Sequence, residues 1–152
     1  MDRFAFAFST WLGSGYIPVI PTLVAVFSIA LAYRAFGQRP SIFWPFTVAT
    51  ILIGWWASHQ TGRFTGISED GRIVVDEVAG AALLLALVRP RDHWKTALLL
   101  ICYLAIDGIK PWPMSATEAL PGAYGVMGDD LMIAVLAGIF LIPLRLCQAR
   151  CN

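Results

Sequence analysis

Five apolar stretches separated by short polar segments dominate the hydropathy pattern of the chain. They cover residues 17–33, 42–57, 78–88, 96–109 and 131–146. Apolar residues run through each stretch without alternating with polar ones, so the pattern predicts helices and not the strands of a barrel. We expect an all-α, polytopic membrane bundle of about four to five spans.

The third stretch is too short to cross a bilayer by itself. A helix that crosses a hydrocarbon core of about 30 Å needs roughly 20 residues, and the stretch 78–88 is much shorter than that. The helix therefore either extends back through Asp76 or forms a short, re-entrant segment. The polar segment 58–72 precedes it, and the fourth stretch ends before Pro111, which cannot continue a helix.

Composition supports a membrane protein with one domain. Of the 152 residues, 58% are hydrophobic and 14% are charged, and the mean hydropathy is +0.69. We expect residues 1–152 to form a single membrane-embedded domain. The net charge of +1 comes without a clustered basic patch, so nucleic acid is excluded as a partner.

The acidic residues are distributed unevenly. If all five stretches cross the membrane, the N-terminus and the segments 58–76 and 108–130 share one face. Of the ten acids, all but Asp92 fall on that face: Asp2, Glu69, Asp70, Asp76, Glu77, Asp107, Glu118, Asp129 and Asp130. Acids beside membrane spans are costly, and they mark functional sites by default.

Two doubled carboxylates are candidates for chemistry. Asp76 and Glu77 precede the third stretch, and Asp129 and Asp130 precede the fifth, so each pair is expected at a helix N-terminus, where the helix dipole favours anions. Capping alone is one explanation. The other is a site for Mg²⁺, because this hard cation takes oxygen ligands and keeps waters that a phosphate can replace.

Basic and glycine-rich positions provide candidate phosphate contacts. Lys110 lies three residues after Asp107, so the pair forms either a local ion pair or a cation that meets phosphate. Arg72 is a further phosphate candidate. Gly13-Ser14-Gly15 is either a flexible turn or a cradle of backbone N–H groups. The chain has neither a cysteine-phosphatase loop nor an Asp-x-Asp nucleophile, so metal-activated water is the favoured nucleophile.

These motifs together resemble the phosphatidylglycerophosphatase A family over almost the whole chain. The shared blocks follow the family's order and spacing. They are Gly13-Ser14-Gly15, His59-Gln60-Thr61, Asp76-Glu77 with Gly80, Asp107 with Lys110-Pro111-Trp112-Pro113, and Gly128-Asp129-Asp130.

The resemblance implies a Mg²⁺-dependent, multi-pass hydrolase of the bacterial inner membrane. Its expected reaction removes the terminal phosphate of phosphatidylglycerophosphate and leaves phosphatidylglycerol. Lys110 would bind phosphate. The residues that would hold the metal or activate water are Asp76, Glu77, Asp107, Asp129 and Asp130.

Departures from the family pattern keep an alternative open. Residues 21–26 lack the family's Pro-Gly-Thr motif, Leu104 replaces an arginine, and Phe64 replaces an acidic residue. The alternative is a non-catalytic membrane protein that binds cations or a partner subunit at its acidic face. The orientation is also open, because the positive-inside rule places that face outside, whereas the family's substrate implies the cytoplasmic side.

Overall fold

The computed structural model describes residues 3–17, 20–67, 70–117 and 120–150. These residues form helices joined by turns, and the expected all-α class is confirmed. The helices are α1 (Arg3–Ser9), α2 (Pro21–Phe36), α3 (Pro40–Thr65), α4 (Val75–Val88), α5 (His93–Ile109), the single turn α6 (Met114–Thr117) and α7 (Ala123–Arg150). Asp2, Glu69 and Glu118, which the sequence placed on the acidic face, lie outside the described residues.

Helix α3 continues further than the hydropathy pattern predicts. It runs through the first half of segment 58–72 and ends at Gly66, which adopts a left-handed backbone with φ of 70°. The polar side chains of Ser58 and Thr61 do not end the helix, because both are buried against other parts of the bundle. Gly66 N–H donates to the carbonyl of Gly62 at 2.9 Å and closes the last turn.

Helix α4 lies at the centre of the bundle. It begins at Val75, so the expected extension back through Asp76 is confirmed. Its 14 residues make it about 21 Å long. Helices α2, α3, α5 and α7 all pack against it. Most of its residues are buried, and several of these are small, among them Ala79, Gly80 and Ala82. Small residues let neighbouring helix backbones approach closely.

Helix α7 begins at Ala123, so the prediction that Asp129 and Asp130 precede the last helix is wrong. Gly122, with φ of 62°, turns the chain into the helix, and the N–H of Gly125 donates to its carbonyl at 3.0 Å. The two aspartates therefore lie in the second turn of α7. Tertiary partners, and not a helix terminus, stabilise them there.

The two ends of the bundle differ in character. At the end that we call the acidic end, the segment before α4 meets the end of α5 and the second turn of α7. Val74 N–H joins this end to α1 by donating to the carbonyl of Ser9 at 3.0 Å. At the opposite end, the hydroxyl of Tyr33 donates to the carbonyl of Pro90 at 2.8 Å.

The outer surface of the bundle is apolar. Large side chains on four helices are largely exposed: Phe27 (64%), Leu52 (62%), Ile101 (62%) and Phe140 (73%). Two helical segments, Pro40–Thr65 and Ala123–Ile142, are long and apolar enough to cross a membrane. An exposed surface of this kind is costly in water and suits contact with lipid.

Candidate active site

The first turn of α4 carries the first carboxylate pair. Oε1 of Glu77 accepts a hydrogen bond from the hydroxyl of Thr22 at 2.7 Å, which ties the start of α4 to α2. Oδ1 of Asp76 and Oε2 of Glu77 are buried and have no hydrogen-bond partner within the described structure. Buried charged oxygens normally have a partner, so this pair of atoms is unusual.

The second pair lies across from the first, on α7. Asp129 and Asp130 are 3% and 2% exposed. Nζ of Lys110 donates to Oδ2 of Asp129 at 2.8 Å, and Oδ1 of Asp129 accepts the backbone N–H of Asp130 at 3.0 Å. Lys110 can reach α7 because it ends α5 in a left-handed conformation, with φ of 46°.

Asp107 lies in the last turn of α5, near both carboxylate pairs. Its charge interacts with that of Glu77 on α4 and with that of Asp130 on α7. Three helices therefore bring acidic side chains to one end of the bundle. Their mutual repulsion in a poorly solvated setting favours a bound cation.

A cleft of about 150 Å³ opens at this end. Its polar lining comes from Asp70, Asp76, Asp129 and Lys110. Negative side chains thus share the cleft with a lysine whose side chain is 37% exposed. The combination suits a phosphate group held between a cation and an ammonium group.

Arg72, a predicted phosphate contact, is not among the residues that line this cleft, and it pairs with Asp70, which is one of them. Its Nε donates to Oδ1 of Asp70 at 2.8 Å, and its backbone N–H donates to the same oxygen at 3.1 Å. The guanidinium also lies over the rings of Phe6 and Tyr16. The hydrogen bonds from the Arg72 side chain hold the pKa of the Asp70 carboxyl below its usual value.

Gly13-Ser14-Gly15 does not form a phosphate cradle in this structure. The N–H groups of Gly13 and Gly15 donate to the carbonyl of Thr10, and that of Ser14 donates to the carbonyl of Trp11. Gly15 is instead needed for packing, because a Cβ at this position would collide with the backbone carbonyl of Arg72. The turn supports the loop before α4.

The donor set at the acidic end fits Mg²⁺. Among the described residues, no three acidic, histidine or cysteine side chains form a ready-made metal cage. Mg²⁺ is usually bound by one or two carboxylates together with waters and substrate phosphate, so it does not need such a cage. The unpartnered oxygens of Asp76 and Glu77 are hard donors of the kind that this ion prefers.

Three residues at the acidic end were not predicted to belong to the site, although the sequence placed Asp70 on the acidic face. Asp70 could have been found from Asp70-Gly71-Arg72, a typical Asx turn. Tyr103, whose hydroxyl donates to Oδ1 of Asp130, lies one helical turn before Asp107 and shares its face. Thr22 carries no sequence signal, because its contact with Glu77 joins residues far apart in the chain.

Carboxylates and a lysine around a polar cleft, at the end of an apolar bundle, define a membrane-associated hydrolase of phosphate esters. A family model described as Phosphatidylglycerophosphatase A matches residues 7–145. The chain belongs to the phosphatidylglycerophosphatase A family, and with it to the phosphoric monoester hydrolases. Membership of an enzyme family favours a catalyst over the non-catalytic alternative.

Individual relatives agree with this assignment. Phosphatidylglycerophosphatase A of Escherichia coli is 29% identical over 130 residues, which is 84% of this chain and 76% of the relative. The Haemophilus influenzae protein of the same name is 30% identical over 106 residues, 68% of this chain and 64% of the relative. A Bacteroides thetaiotaomicron protein, provisionally named a phosphatidylinositol-3-phosphatase, is 27% identical over 146 residues, 90% of each chain. No solved structure matches the chain.

Proposed function

We propose that this chain is a Mg²⁺-dependent phosphatase that converts phosphatidylglycerophosphate to phosphatidylglycerol in a bacterial inner membrane. Family membership supports the reaction. The observation that carries the metal dependence is the pair of buried, unpartnered oxygens on Asp76 and Glu77, next to the polar cleft. Their negative charge needs a cation, and a phosphate monoester needs the same cation to neutralise its charge.

In this proposal the carboxylates would bind the metal ion and the lysine would bind the phosphate. Asp76 and Glu77 would hold the ion through their unpartnered oxygens, while Thr22 fixes the other oxygen of Glu77. Lys110, oriented by Asp129, meets the phosphoryl oxygens. Bound Mg²⁺ supplies charge neutralisation and activation of water.

The proposed reaction is the hydrolysis of a phosphate monoester. A water oxygen forms a bond to phosphorus, and the bond between phosphorus and the glycerol oxygen breaks. In this proposal Asp107 or Asp130 would accept the water proton, and the leaving glycerol oxygen gains a proton. Inorganic phosphate and phosphatidylglycerol are the products.

We further propose that α2, α3, α4, α5 and α7 all cross the membrane and that the acidic end faces the cytoplasm. The large apolar side chains exposed on α2, α3, α5 and α7 support this topology. Single cysteines at Gly71 and Arg91, in a background without native cysteines, test it, because the two positions lie at opposite ends. An impermeant maleimide added to intact cells should label the cysteine at 91 and spare the one at 71. Labelling of both positions from one side would contradict the topology.

The activity is tested by phosphate release from phosphatidylglycerophosphate in detergent, with Mg²⁺ or with EDTA. Wild-type protein should release phosphate only with Mg²⁺, and Asp76→Asn should remove nearly all of the release. Asp92→Asn is the matched control, because Asp92 pairs with Lys95 at the opposite end. Its release should stay close to that of wild type.

Parallel reactions identify the lipid. Phosphatidylinositol 3-phosphate is included because of the Bacteroides relative, and phosphatidic acid tests whether any phosphomonoester is enough. Preference for phosphatidylglycerophosphate supports the proposed substrate. Preference for the inositol lipid would replace it, and release from none of the three by a folded protein would refute the activity.

A further inference from the structure

Tyr103 is a buried residue at the acidic end to which the proposed reaction gives no part. It is 1% exposed and sits in the apolar run of α5. Its hydroxyl donates to Oδ1 of Asp130 and lies 3.4 Å from the backbone carbonyl of Glu77. One hydroxyl group therefore connects the three helices that carry the candidate site.

The fold leaves no space for this hydroxyl to move. Gly80 of α4 faces it, and a Cβ at that position would collide with the Tyr103 hydroxyl and lie 2.9 Å from the backbone carbonyl of Asp130. The absence of a side chain at Gly80 thus lets both α5 and α7 approach α4 closely at this point.

The orientation of the Asp130 carboxylate has to be held by a neighbouring group. It is almost fully buried, and the charges of Asp107, Glu77 and Asp129 act on it. A carboxylate among like charges tends to rotate away from them, and a donor fixed on one of its oxygens opposes that rotation. A tyrosine hydroxyl provides this donor without adding a positive charge that would compete with a metal ion.

We infer that Tyr103 is a positioning residue that orients Asp130 and leaves Oδ2 of that carboxylate for the metal or for water. The inference rests on the proposed Mg²⁺-dependent function. Residues that orient metal ligands typically change metal affinity or activity by roughly 10-fold to 100-fold when they are removed. Tyr103 should therefore influence the response to Mg²⁺ more than the binding of lipid.

Tyr103→Phe tests this role, with Tyr33→Phe as the matched control. Both tyrosines are buried and both donate a hydrogen bond, but Tyr33 donates to Pro90 at the opposite end. The measurements are kcat, the KM for phosphatidylglycerophosphate in mixed micelles, the half-saturating Mg²⁺ concentration, and the shift in melting temperature on adding Mg²⁺.

For Tyr103→Phe we expect kcat to fall at least about 10-fold and the half-saturating Mg²⁺ concentration to rise several-fold. The KM for lipid should stay within about twofold, and the stabilisation by Mg²⁺ should shrink. Tyr33→Phe should lower the melting temperature by a similar amount and leave the Mg²⁺ response unchanged. Gly80→Ala, which displaces the hydroxyl without removing it, should reproduce the weaker Mg²⁺ response.

Equal Mg²⁺ responses in Tyr103→Phe and Tyr33→Phe would overturn the inference and leave Tyr103 a packing residue. The melting measurement also separates the two proposals. If wild-type protein releases no phosphate from any lipid but is stabilised by Mg²⁺, the proposed function fails. A smaller stabilisation of Tyr103→Phe would then still support the positioning of Asp130.

Discussion

Lys110→Met tests the ion pair that joins the end of α5 to α7. Methionine keeps the length of the side chain and removes its charge. Nζ of Lys110 lies 2.8 Å from Oδ2 of Asp129, whose side chain is only 5% exposed. After the substitution, the backbone N–H of Asp130 remains as a donor to the Asp129 carboxylate. A buried polar group that loses its partner destabilises a protein by about 1–3 kcal/mol, and a charged group that stays dry by more.

The lower part of that range is expected here, because the lysine side chain is 37% exposed and water can partly replace it. A loss of about 1–2 kcal/mol corresponds to a fall in melting temperature of about 2–8 °C for a protein of this size. Phosphate release should be lost as well, because the same ammonium group faces the cleft.

Lys95→Met is the matched control for burial. Nζ of Lys95 lies 2.6 Å from Oδ2 of Asp92, with both side chains more than 40% exposed. Exposed pairs of this kind contribute about 0–1 kcal/mol. The control should therefore keep its melting temperature and its activity.

Thermal unfolding of the purified protein in detergent and phosphate release are measured for both variants. The double variant Lys110→Met with Asp129→Asn should recover part of the lost stability, because the unpaired charge is gone, but none of the activity. Equal shifts in Lys110→Met and Lys95→Met would refute the reasoning from burial. Full activity in Lys110→Met would remove the lysine from the site.

Three further predictions concern the surroundings of the site. Gly15→Ala should destabilise the protein by about 1–3 kcal/mol, because the added Cβ collides with the backbone carbonyl of Arg72. Gly71→Ala is the control, because a Cβ at that position meets open space and should not destabilise the protein. Equal melting temperatures of the two variants would argue against the contact. Thr22→Val should weaken activity or Mg²⁺ affinity about 10-fold, because it removes the hydrogen bond that holds Glu77. Thr47→Val is the control: the hydroxyl of Thr47 donates within α3, so its loss should not affect phosphate release. Because the folded pKa of Asp70 is lowered, its stabilisation is present above the ordinary carboxyl pKa and disappears as the pH falls through the folded value. The difference in melting temperature between wild type and Asp70→Asn should therefore narrow below about pH 4, and a constant difference would contradict the pairing.

The hydropathy pattern predicts the helices better than it predicts their ends. Helix α5 ends at Ile109 as expected, because Pro111 cannot continue it. The start of α7 was missed, because Gly125 and the two aspartates resemble a loop followed by a helix N-terminus. The burial of the two aspartates depends on Lys110 and Tyr103, whose contacts with them span 19 and 27 residues and leave no local pattern.

The acidic side chains of the site could be found from the sequence, whereas their arrangement could not. Spacing indicated that Asp76, Asp107 and Asp130 share one face of the bundle, and their helices do meet there. Spacing could not show that Thr22 donates a hydrogen bond to Glu77 or that Lys110 reaches Asp129. Side-chain partners of this kind are decided by tertiary packing, which hydropathy does not encode.

The length of α4 bears on how the enzyme meets its substrate. At about 21 Å, the central helix is shorter than a hydrocarbon core of about 30 Å, so in the proposed topology the carboxylates at its start would lie deeper than the surrounding headgroups unless the bilayer thins around the protein. Encounter then takes place by lateral diffusion within the leaflet. The reaction rate should follow the mole fraction of substrate in the membrane plane and not its bulk concentration, and the product lipid leaves sideways without entering water.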